Sequence, residues 1–472
     1  LALPGFVDAH IHLLWYGLGL EQVVLTDVAD YAEVERRIRE RLDHTPPGHW
    51  VTGSGWNQDL WHGMQPDRRL LDRLSTAHPL LFTRKDGHSI WVNGAALAAA
   101  GITATTADPP GGRIEHDGEG EPTGILAEEA MALVRRHVPP PDASARDRAL
   151  ATAMRLANRA GITAIHDMEA GDARAAFQRA LASNQLTLRV QMMVDLNSWR
   201  AGWPEVQGSK SGPSLLQTGA LKLFSDGALG SRTAAMVQPF TGTQNYGVAI
   251  MSRAELSDLI AGAARQNLAC AIHAIGDAAN RTVLDAFAAT HEQWAPRGLR
   301  QRIEHVQLLH PDDLPRLAQL GIIASMQPVH ATADMAIADR YWGERSRLGY
   351  AWRSILASGA ALAFGSDCPV ETLDVLQGLY AAVTRRRADG EPPAGWYPDQ
   401  CLRLPEALHA YTLGAAYAAG REAELGSLAP GKLADITVLD RDILSLPPEA
   451  LLEADVRATI VVGRVVYDAA HG

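Results

Sequence analysis

Cysteine is scarce in this sequence. The chain of 472 residues has three cysteines, Cys270, Cys368 and Cys401, and no Cys-x-x-Cys pair. Such a sparse, odd-numbered set does not form a disulfide framework and suits a reducing compartment. No secretory signal is visible at the amino terminus, because a basic region before an apolar stretch is missing. We therefore expect a cytoplasmic protein.

The sequence also lacks long apolar runs and an excess of basic charge. No apolar stretch reaches the ~18 residues that a membrane-spanning helix needs. Acidic residues (54) outnumber lysine and arginine (43), which gives a formal net charge of −11. Nucleic acid and membrane are therefore not expected as partners, whereas a small-molecule substrate is. The oligomeric state stays open, with a homodimer as one option.

The sequence does contain a repeated order of helix, glycine and short apolar run. It appears at 158–167, 318–326 and 356–367, each time with a glycine that can end the helix in the left-handed conformation. The apolar runs do not alternate with polar residues, as in parallel strands buried on both faces. This order predicts an α/β fold, a (β/α)8 TIM barrel. We place its strands near 6–10, 23–26, 162–167, 220–224, 269–274, 301–306, 322–326 and 361–366.

Two regions interrupt this order. Residues 44–125 are rich in glycine, proline, tryptophan and turn signals, and are predicted to form a β-rich insertion between the second and third barrel strands. After a helix near 405–418 the sequence reads as β-structure outside the barrel. The predicted domains are thus a barrel over 1–420 and the carboxy-terminal part of a small β-sandwich over 421–472.

Histidines and one aspartate stand at the ends of predicted strands. His10 and His12 are two residues apart in a strand, so both imidazoles project to the same side. By itself this pair leaves a metal site and an incidental polar strand end equally open. His273, His305 and Asp367 close three later strands. Since the carboxyl ends of barrel strands converge on one mouth, the five side chains together predict a metal site that suits zinc.

Lys222 lies inside an apolar predicted strand. One interpretation is a lysine whose stem is buried while its ammonium reaches water or a carboxylate. The other is a buried amine of lowered pKa, which is nucleophilic and can add CO₂ to form a carbamate. The spacing of the residues does not decide between the two.

Eight motifs carry a resemblance to a known family. They are Pro4-Gly-Phe-Val-Asp-Ala-His-Ile-His12, Asp86-Gly-His-Ser-Ile-Trp-Val-Asn93, Leu221-Lys-Leu-Phe-Ser-Asp-Gly-Ala-Leu-Gly-Ser-Arg-Thr233, Ile272-His-Ala-Ile-Gly-Asp277, Arg302-Ile-Glu-His-Val-Gln307, Met326-Gln-Pro-Val-His330, Gly365-Ser-Asp-Cys-Pro-Val370 and Leu425-Gly-Ser-Leu-Ala-Pro-Gly-Lys-Leu-Ala-Asp435. In this order, along the whole chain, they resemble the amidohydrolase superfamily and its YtcJ-like branch, which includes N-substituted formamide deformylase.

The resemblance implies a metal-dependent hydrolase that cleaves a carbon–nitrogen bond other than a peptide bond, of the amide or formamide type. The implied site is binuclear. His10, His12 and Asp367 would hold one divalent metal, His273 and His305 the second, and a carboxylated Lys222 would bridge them. Asp367 would also carry a proton from the attacking water to the leaving nitrogen. The family further implies an amino-terminal segment of the sandwich, which we expect this chain to lack.

Further polar residues are candidates for binding substrate at the mouth, or for orienting a metal ligand there: His88, Asp226, Arg232 and His330. For Asp226 and Arg232 a loop-anchoring hydrogen bond or ion pair is an equally good interpretation. Cys368 follows Asp367 directly but is not favoured as a nucleophile, because adjacent strand residues point apart. His166 and Asp167 are expected to line the mouth without binding metal.

Other functions stay open on the sequence. A mononuclear deaminase would use one metal and keep Lys222 as a structural residue. A silent barrel acting as a binding protein has no need of six retained ligands. A non-haem iron oxygenase needs two histidines and one carboxylate, which leaves the other ligands unexplained. The sequence does not establish the substrate, the identity of the metal, or whether one or two metals bind per chain.

Overall fold

The computed structural model describes residues 1–26, 28–61, 64–85, 87–202 and 214–471. The chain divides into two compact units, one of Leu1–Tyr16 with Leu150–Gly472 and the other of Gly17–Ala149. Across the described ranges, every helix is too short or too polar to cross a membrane.

The strands in chain order are β1 (Ala2–Pro4), β2 (Phe6–Ile11), β3 (Val23–Val24), β4 (Val51–Trp56), β5 (Leu80–Arg84), β6 (Ser89–Val92), β7 (Gly112–His116), β8 (Pro122–Glu128), β9 (Ile162–Asp167), β10 (Arg189–Asp195), β11 (Leu216–Phe224), β12 (Cys270–Ala274), β13 (Arg302–His305), β14 (Ile323–Met326), β15 (Leu362–Phe364), β16 (Ile436–Leu439), β17 (Val456–Val461) and β18 (Arg464–Asp468).

The helices are α1 (Leu13–Leu20), α2 (Tyr31–Asp43), α3 (Arg68–Asp72), α4 (Gly94–Ala99), α5 (Met131–Arg135), α6 (Ala143–Arg159), α7 (Asp172–Ala182), α8 (Leu196–Arg200), α9 (Arg253–Arg265), α10 (Asp277–Ala289), α11 (His291–Trp294), α12 (Leu314–Leu320), α13 (Pro328–Trp342), α14 (Trp352–Ala357), α15 (Val375–Thr384), α16 (Leu404–Ala410) and α17 (Leu413–Ala418). Short 3-10 helices lie at Gln58–Leu60, Ala295–Arg297, Pro311–Asp313, Gly343–Leu348, Pro398–Gln400 and Pro448–Leu451.

The first unit contains a parallel barrel. Its sheet has the order β2-β9-β10-β11-β12-β13-β14-β15. Just beyond β15 the backbone returns to the first strand, where Asp367 N donates to His10 O at 2.7 Å and His12 N donates to Cys368 O at 2.9 Å. Two of the glycines expected to end helices, Gly161 and Gly321, have φ values of 82° and 65°, as a helix end in the left-handed region requires. The predicted α/β barrel is confirmed.

One predicted barrel strand is wrong. The segment near 23–26 contains β3, which pairs in parallel with β4 in the sheet of the second unit. The barrel position belongs instead to β10, which pairs with β9 and β11. Its polar residues Arg189 and Gln191 interrupt the apolar run, and Arg189 is buried because its guanidinium pairs with Asp435. The long insertion therefore follows the first barrel strand rather than the second.

The second unit, Gly17–Ala149, is built around a mixed sheet. Its order is β3-β4-β5-β6-β8-β7, with β3 to β5 parallel and the remaining pairs antiparallel. One apolar cluster contains Trp56, Trp61, Phe82 and Trp91, whose aromatic rings contact one another. This unit includes the segment 44–125 that the sequence marks as a β-rich insertion.

The strands after the barrel form a small antiparallel sheet with the start of the chain. Its order is β1-β16-β17-β18. Thr437 Oγ1 and Thr459 Oγ1 donate to Gly161 O and Asn158 O, each at 2.6 Å. These bonds attach the sheet to the turn between α6 and β9. The edge strand β18 leaves Val465 60% exposed.

Candidate metal centre

The first group of potential ligands combines the start and the end of the barrel. His10 lies in β2, His12 follows it, and Asp367 comes after β15. The Nε2 atoms of His10 and His12 lie 3.5 and 3.3 Å from Oδ1 of Asp367. One potential ligand atom from each residue lies within 4.8 Å of the others. Two imidazoles and a carboxylate at this spacing fit a divalent metal.

The second group approaches the other oxygen of the same carboxylate. His330 Nε2 lies 3.1 Å from Asp367 Oδ2, and His305, His330 and Asp367 again have ligand atoms within 4.8 Å of one another. His273 is adjacent, with its ring centroid 4.6 Å from that of His305. His273 Nε2 donates to Gly227 O at 2.9 Å, which leaves Nδ1 with the free lone pair. Asp367 therefore lies between two clusters of histidines.

The backbone at two of these residues is held in the left-handed region. The φ angles of His305 and Asp367 are 76° and 57°. This conformation is uncommon for residues other than glycine and is concentrated at functional sites. His305 is the last residue of β13 and Asp367 lies three residues beyond the end of β15, so this conformation orients the two side chains where the regular strand geometry ends.

Lys222 is a buried lysine in β11 whose amine has no hydrogen-bond partner among the described residues. Burial lowers the pKa of its ammonium to about 8, although Glu304 and Asp367 favour the charged form. Its Nζ lies 5.0 Å from the centroid of the Phe224 ring. An unpartnered buried amine is costly unless another group binds it. Among the described ligand candidates, Lys222 Nζ is the one fully buried side-chain atom without a hydrogen-bond partner.

Two of the histidines are oriented by buried side chains behind them. His10 Nδ1 lies 2.6 Å from Glu304 Oε2, and His305 Nδ1 lies 2.9 Å from Gln327 Oε1. A carboxylate only accepts, so Nδ1 of His10 carries the proton and Nε2 keeps its lone pair. Arg302 donates to both oxygens of Glu304. Each histidine thus presents Nε2 toward the cluster.

The charge states suit metal binding. Burial lowers the pKa of His10 and of His273 to about 4, assisted by Lys222, and it holds the pKa of His305 well below the ordinary value. These imidazoles are therefore neutral near pH 7, the form that binds metal. Burial alone would raise the pKa of Asp367, but His10, His12 and His330 outweigh it and keep the carboxyl ionised.

The residues predicted to bind substrate lie in different surroundings. Asp226 accepts from the backbone amides of Ala235, Ile275 and Gly276 at 2.9, 3.0 and 2.8 Å, so its carboxylate anchors loops. Arg232 is exposed, with its guanidinium 5.5 Å from the centroid of the Tyr341 ring.

The other two substrate candidates are histidines. His330 is buried, and bonds to Asp367 and Glu371 outweigh burial and raise its pKa to about 9. His88 belongs to the Gly17–Ala149 unit, where its exposed ring lies 3.1 Å from Glu128. Its motif neighbour Asp86 falls outside the described residues.

Three further residues near the site are buried. Cys368 is buried, which raises the pKa of its thiol well above the ordinary value and disfavours a thiolate. His166 Nδ1 accepts from Arg302 at 2.8 Å. Asp167 accepts from Leu13 N at 3.1 Å, at the first residue of α1. Hydrogen bonds within the protein thus explain how the polar side chains of His166 and Asp167 can be buried.

Glu304 and Gln327 were not identified from the sequence as parts of the site. A signal for Glu304 was present, because Arg302 and Glu304 are charged residues on the same side of a strand that is otherwise apolar. Gln327 directly follows β14 and had no comparable signal, since a single glutamine after a strand is common.

Comparisons with known proteins identify the family of this chain. The sequence profile of the amidohydrolase family matches residues 1–467. The putative amidohydrolase YtcJ of Bacillus subtilis (strain 168) is 33% identical over 98% of this chain and 88% of its own length. The N-substituted formamide deformylase of Arthrobacter pascens is 30% identical over 99% of this chain and 88% of its own.

A solved structure is also similar. An uncharacterized metal-dependent hydrolase from Pyrococcus furiosus is 27% identical, with a TM-score of 0.76 over 94% of this chain and 88% of that one. The fold and the site define a barrel hydrolase. The chain belongs to the amidohydrolase family, as its motifs predicted, and it is a metal-dependent hydrolase.

Proposed function

We propose that this chain hydrolyses a carbon–nitrogen bond of the amide or formamide type in a small-molecule substrate. The observation that carries the proposal is the position of Asp367, which has histidine nitrogens near both of its oxygens. The name of the formamide deformylase, at 30% identity over 99% of this chain, supports the type of bond.

We take the metal ligands from the family motifs, and the first set coincides with the group of His10, His12 and Asp367. His10, His12 and Asp367 would hold one divalent metal, and His273 and His305 the other. Zinc suits these nitrogen and oxygen donors. Bound metal supplies hydroxide from water near neutral pH and polarises the carbonyl that is attacked.

Lys222 would bridge the two positions as a carbamate. Its neutral amine would form a bond between Nζ and the carbon of CO₂ and release one proton, giving an anion with two oxygens. Two observations support this carbamate: Lys222 is buried, and its Nζ has no hydrogen-bond partner among the described residues. The histidines supply no negative charge, so a second anion beside Asp367 would offset the charge of two cations.

Asp367 would move the proton during hydrolysis. Its pKa is held low, so it is an ionised acceptor at neutral pH. It would take the proton of the attacking water and deliver it to the leaving nitrogen. His330 is the substrate-binding candidate with the best support, because it is buried beside Asp367. His88, Asp226 and Arg232 remain predictions, and for Asp226 its three backbone bonds favour a structural role.

The test combines metal analysis with a substrate panel. Purified full-length protein, expressed with added zinc, manganese or cobalt, should contain one to two equivalents of metal and hydrolyse at least one class among formamides, N-acyl amines and cyclic amides. Chelation should abolish the activity and metal should restore it. If the protein binds metal but hydrolyses none of these C–N substrates, the proposed type of bond is wrong. One equivalent with deamination as the only activity favours a mononuclear deaminase.

A further inference from the structure

We propose that the two metal positions bind with unequal affinity, because a carboxylate supports His10 whereas a neutral amide supports His305. Glu304 would make the His10 position the tighter one, and Gln327 would leave the His305 position weaker. Both are positioning residues that act through a ligand histidine. The inference rests on the proposed two-metal function.

The bond behind His10 is charge-assisted. Glu304 is fully buried, and its Oε2 lies 2.6 Å from Nδ1 of His10. A carboxylate that accepts the Nδ1 proton draws it away from the ring and makes Nε2 a stronger donor. Low polarity around the pair strengthens this effect, because little water screens it.

Arg302 holds Glu304 in place through hydrogen bonds. Its guanidinium donates to both carboxylate oxygens of Glu304, to Ala9 O at 2.6 Å and to Ser325 Oγ at 2.7 Å. Its remaining nitrogen donates to His166 Nδ1 at 2.8 Å. Arg302 and Glu304 lie two residues apart in β13, and the carboxylate of Glu304 bonds to both Arg302 and His10. The network therefore fixes the tautomer of His10 as well as its position.

The bond behind His305 is neutral. Gln327 Oε1 lies 2.9 Å from Nδ1 of His305, and Gln327 Nε2 has no hydrogen-bond partner among the described residues. An amide oxygen carries only a partial charge, so it polarises the ring less than a carboxylate does. Both histidines are buried and they are neighbours, with ring centroids 4.7 Å apart. The two rings thus differ in the charge of the group that accepts from Nδ1.

The experiment is a Zn²⁺ titration of the metal-free full-length protein against a competing chelator. Wild type should bind two equivalents in two phases. Glu304→Gln should weaken the tighter phase by about 10- to 100-fold, the usual effect of removing such a partner. Gln327→Glu should tighten the weaker phase and leave the other unchanged.

Asp468→Asn is the matched control. Asp468 Oδ2 also accepts from a histidine Nδ1, that of His471, at 2.9 Å, but Asp468 is the last residue of β18 in the small sheet. Its substitution should leave both phases unchanged. The thermal midpoint of each metal-free variant shows whether it folds, and if Glu304→Gln does not, Gln327→Glu by itself tests the inference.

The outcomes separate the inference from the proposed function. Two equivalents whose affinities are unaffected by Glu304→Gln and Gln327→Glu overturn the inference and leave the function standing. If Glu304→Gln lowers the zinc affinity of both phases equally, the inference is also overturned, because such a result indicates a general disruption of the site. No zinc in wild type contradicts the metal-dependent function, whereas one equivalent only contradicts the two-metal assignment; either result overturns the inference.

Discussion

His330 Nε2 lies 3.1 Å from Oδ2 of Asp367, on the opposite side of the carboxylate from His10 and His12. The sequence made His330 a candidate for binding substrate or orienting a metal ligand, because it follows a predicted barrel strand within a family motif. In the folded protein it is buried and has Glu371 beside its other nitrogen, at 3.7 Å. The carboxylate of Asp367 is thus enclosed by imidazoles, which makes it the most sensitive position of the site.

We expect Asp367→Asn to abolish most turnover while the fold survives. The amide keeps the shape of the side chain but loses the charge and the ability to accept a proton. General acid–base catalysis contributes roughly 100- to 10,000-fold, so the barrier should rise by about 3–5 kcal/mol. Steady-state kinetics and circular dichroism measure the two properties. Cys368→Ala, at the adjacent buried thiol, is the control and should retain turnover. Near-normal turnover of folded Asp367→Asn removes it from the mechanism.

Lys222 provides a direct test of the proposed bridge. In a metal-loaded crystal, electron density should show a carbamate on Nζ with oxygens about 2.0–2.2 Å from two metals. Lys222→Ala should lose activity and recover part of it when a short carboxylic acid is added, whereas the acid should not stimulate wild type. A bare ammonium more than about 4 Å from any metal in such a crystal refutes the bridge.

His166 should make stability depend on pH. Burial, with Arg302 next to it, holds the pKa of His166 well below the ordinary 6.5. As pH falls below 6.5, the unfolded chain takes up a proton at this residue while the folded state does not. The stability that neutral His166 contributes is therefore present above that pH and is lost as pH falls toward the much lower folded pKa.

The comparison is with His166→Gln, which keeps an acceptor for Arg302 but does not titrate. Urea unfolding of both metal-free proteins, at about pH 7.5 and about pH 5, gives the difference in free energy of unfolding. Relative to the variant, wild type should lose up to about 1.4 kcal/mol per pH unit below 6.5. The same difference at both pH values shows that His166 has an ordinary pKa.

The buried pair of Arg189 and Asp435 should matter for stability. Arg189 begins β10, Asp435 precedes β16, and both side chains are buried. Arg189→Met leaves an unpaired buried carboxylate and should cost about 3–5 kcal/mol of unfolding free energy. Adding Asp435→Asn should restore much of the loss, since no charge then remains. Denaturant unfolding of the single and double variants measures this, and additive losses would contradict a buried ion pair.

Much of the site could be predicted because its ligands stand at strand ends. His273, His305 and Asp367 are separated by many residues, but the barrel repeat predicts that their strands end on one side. His10 and His12 follow from the alternation within a single strand. To predict the histidine cluster, it was enough to recognise this barrel order.

The neighbours of each ligand could not be predicted in the same way. Gln327 supports His305, and Asp226 accepts from three loop amides, through contacts that depend on side-chain directions and loop paths. The strand β10 was missed for a related reason. Arg189 looks out of place in a buried strand until Asp435, 246 positions later, is brought beside it.

The sequence by itself determined the parallel barrel, the family and the histidines and aspartate at the strand ends. These follow from local order, since hydrophobic runs, helix ends and motif spacing are properties of short segments. The tertiary structure alone decided which strand occupies the barrel between β9 and β11, which oxygen of Asp367 each histidine approaches, and which buried group stands behind each ring. These depend on distances between residues far apart in the chain, which only the closed barrel brings together.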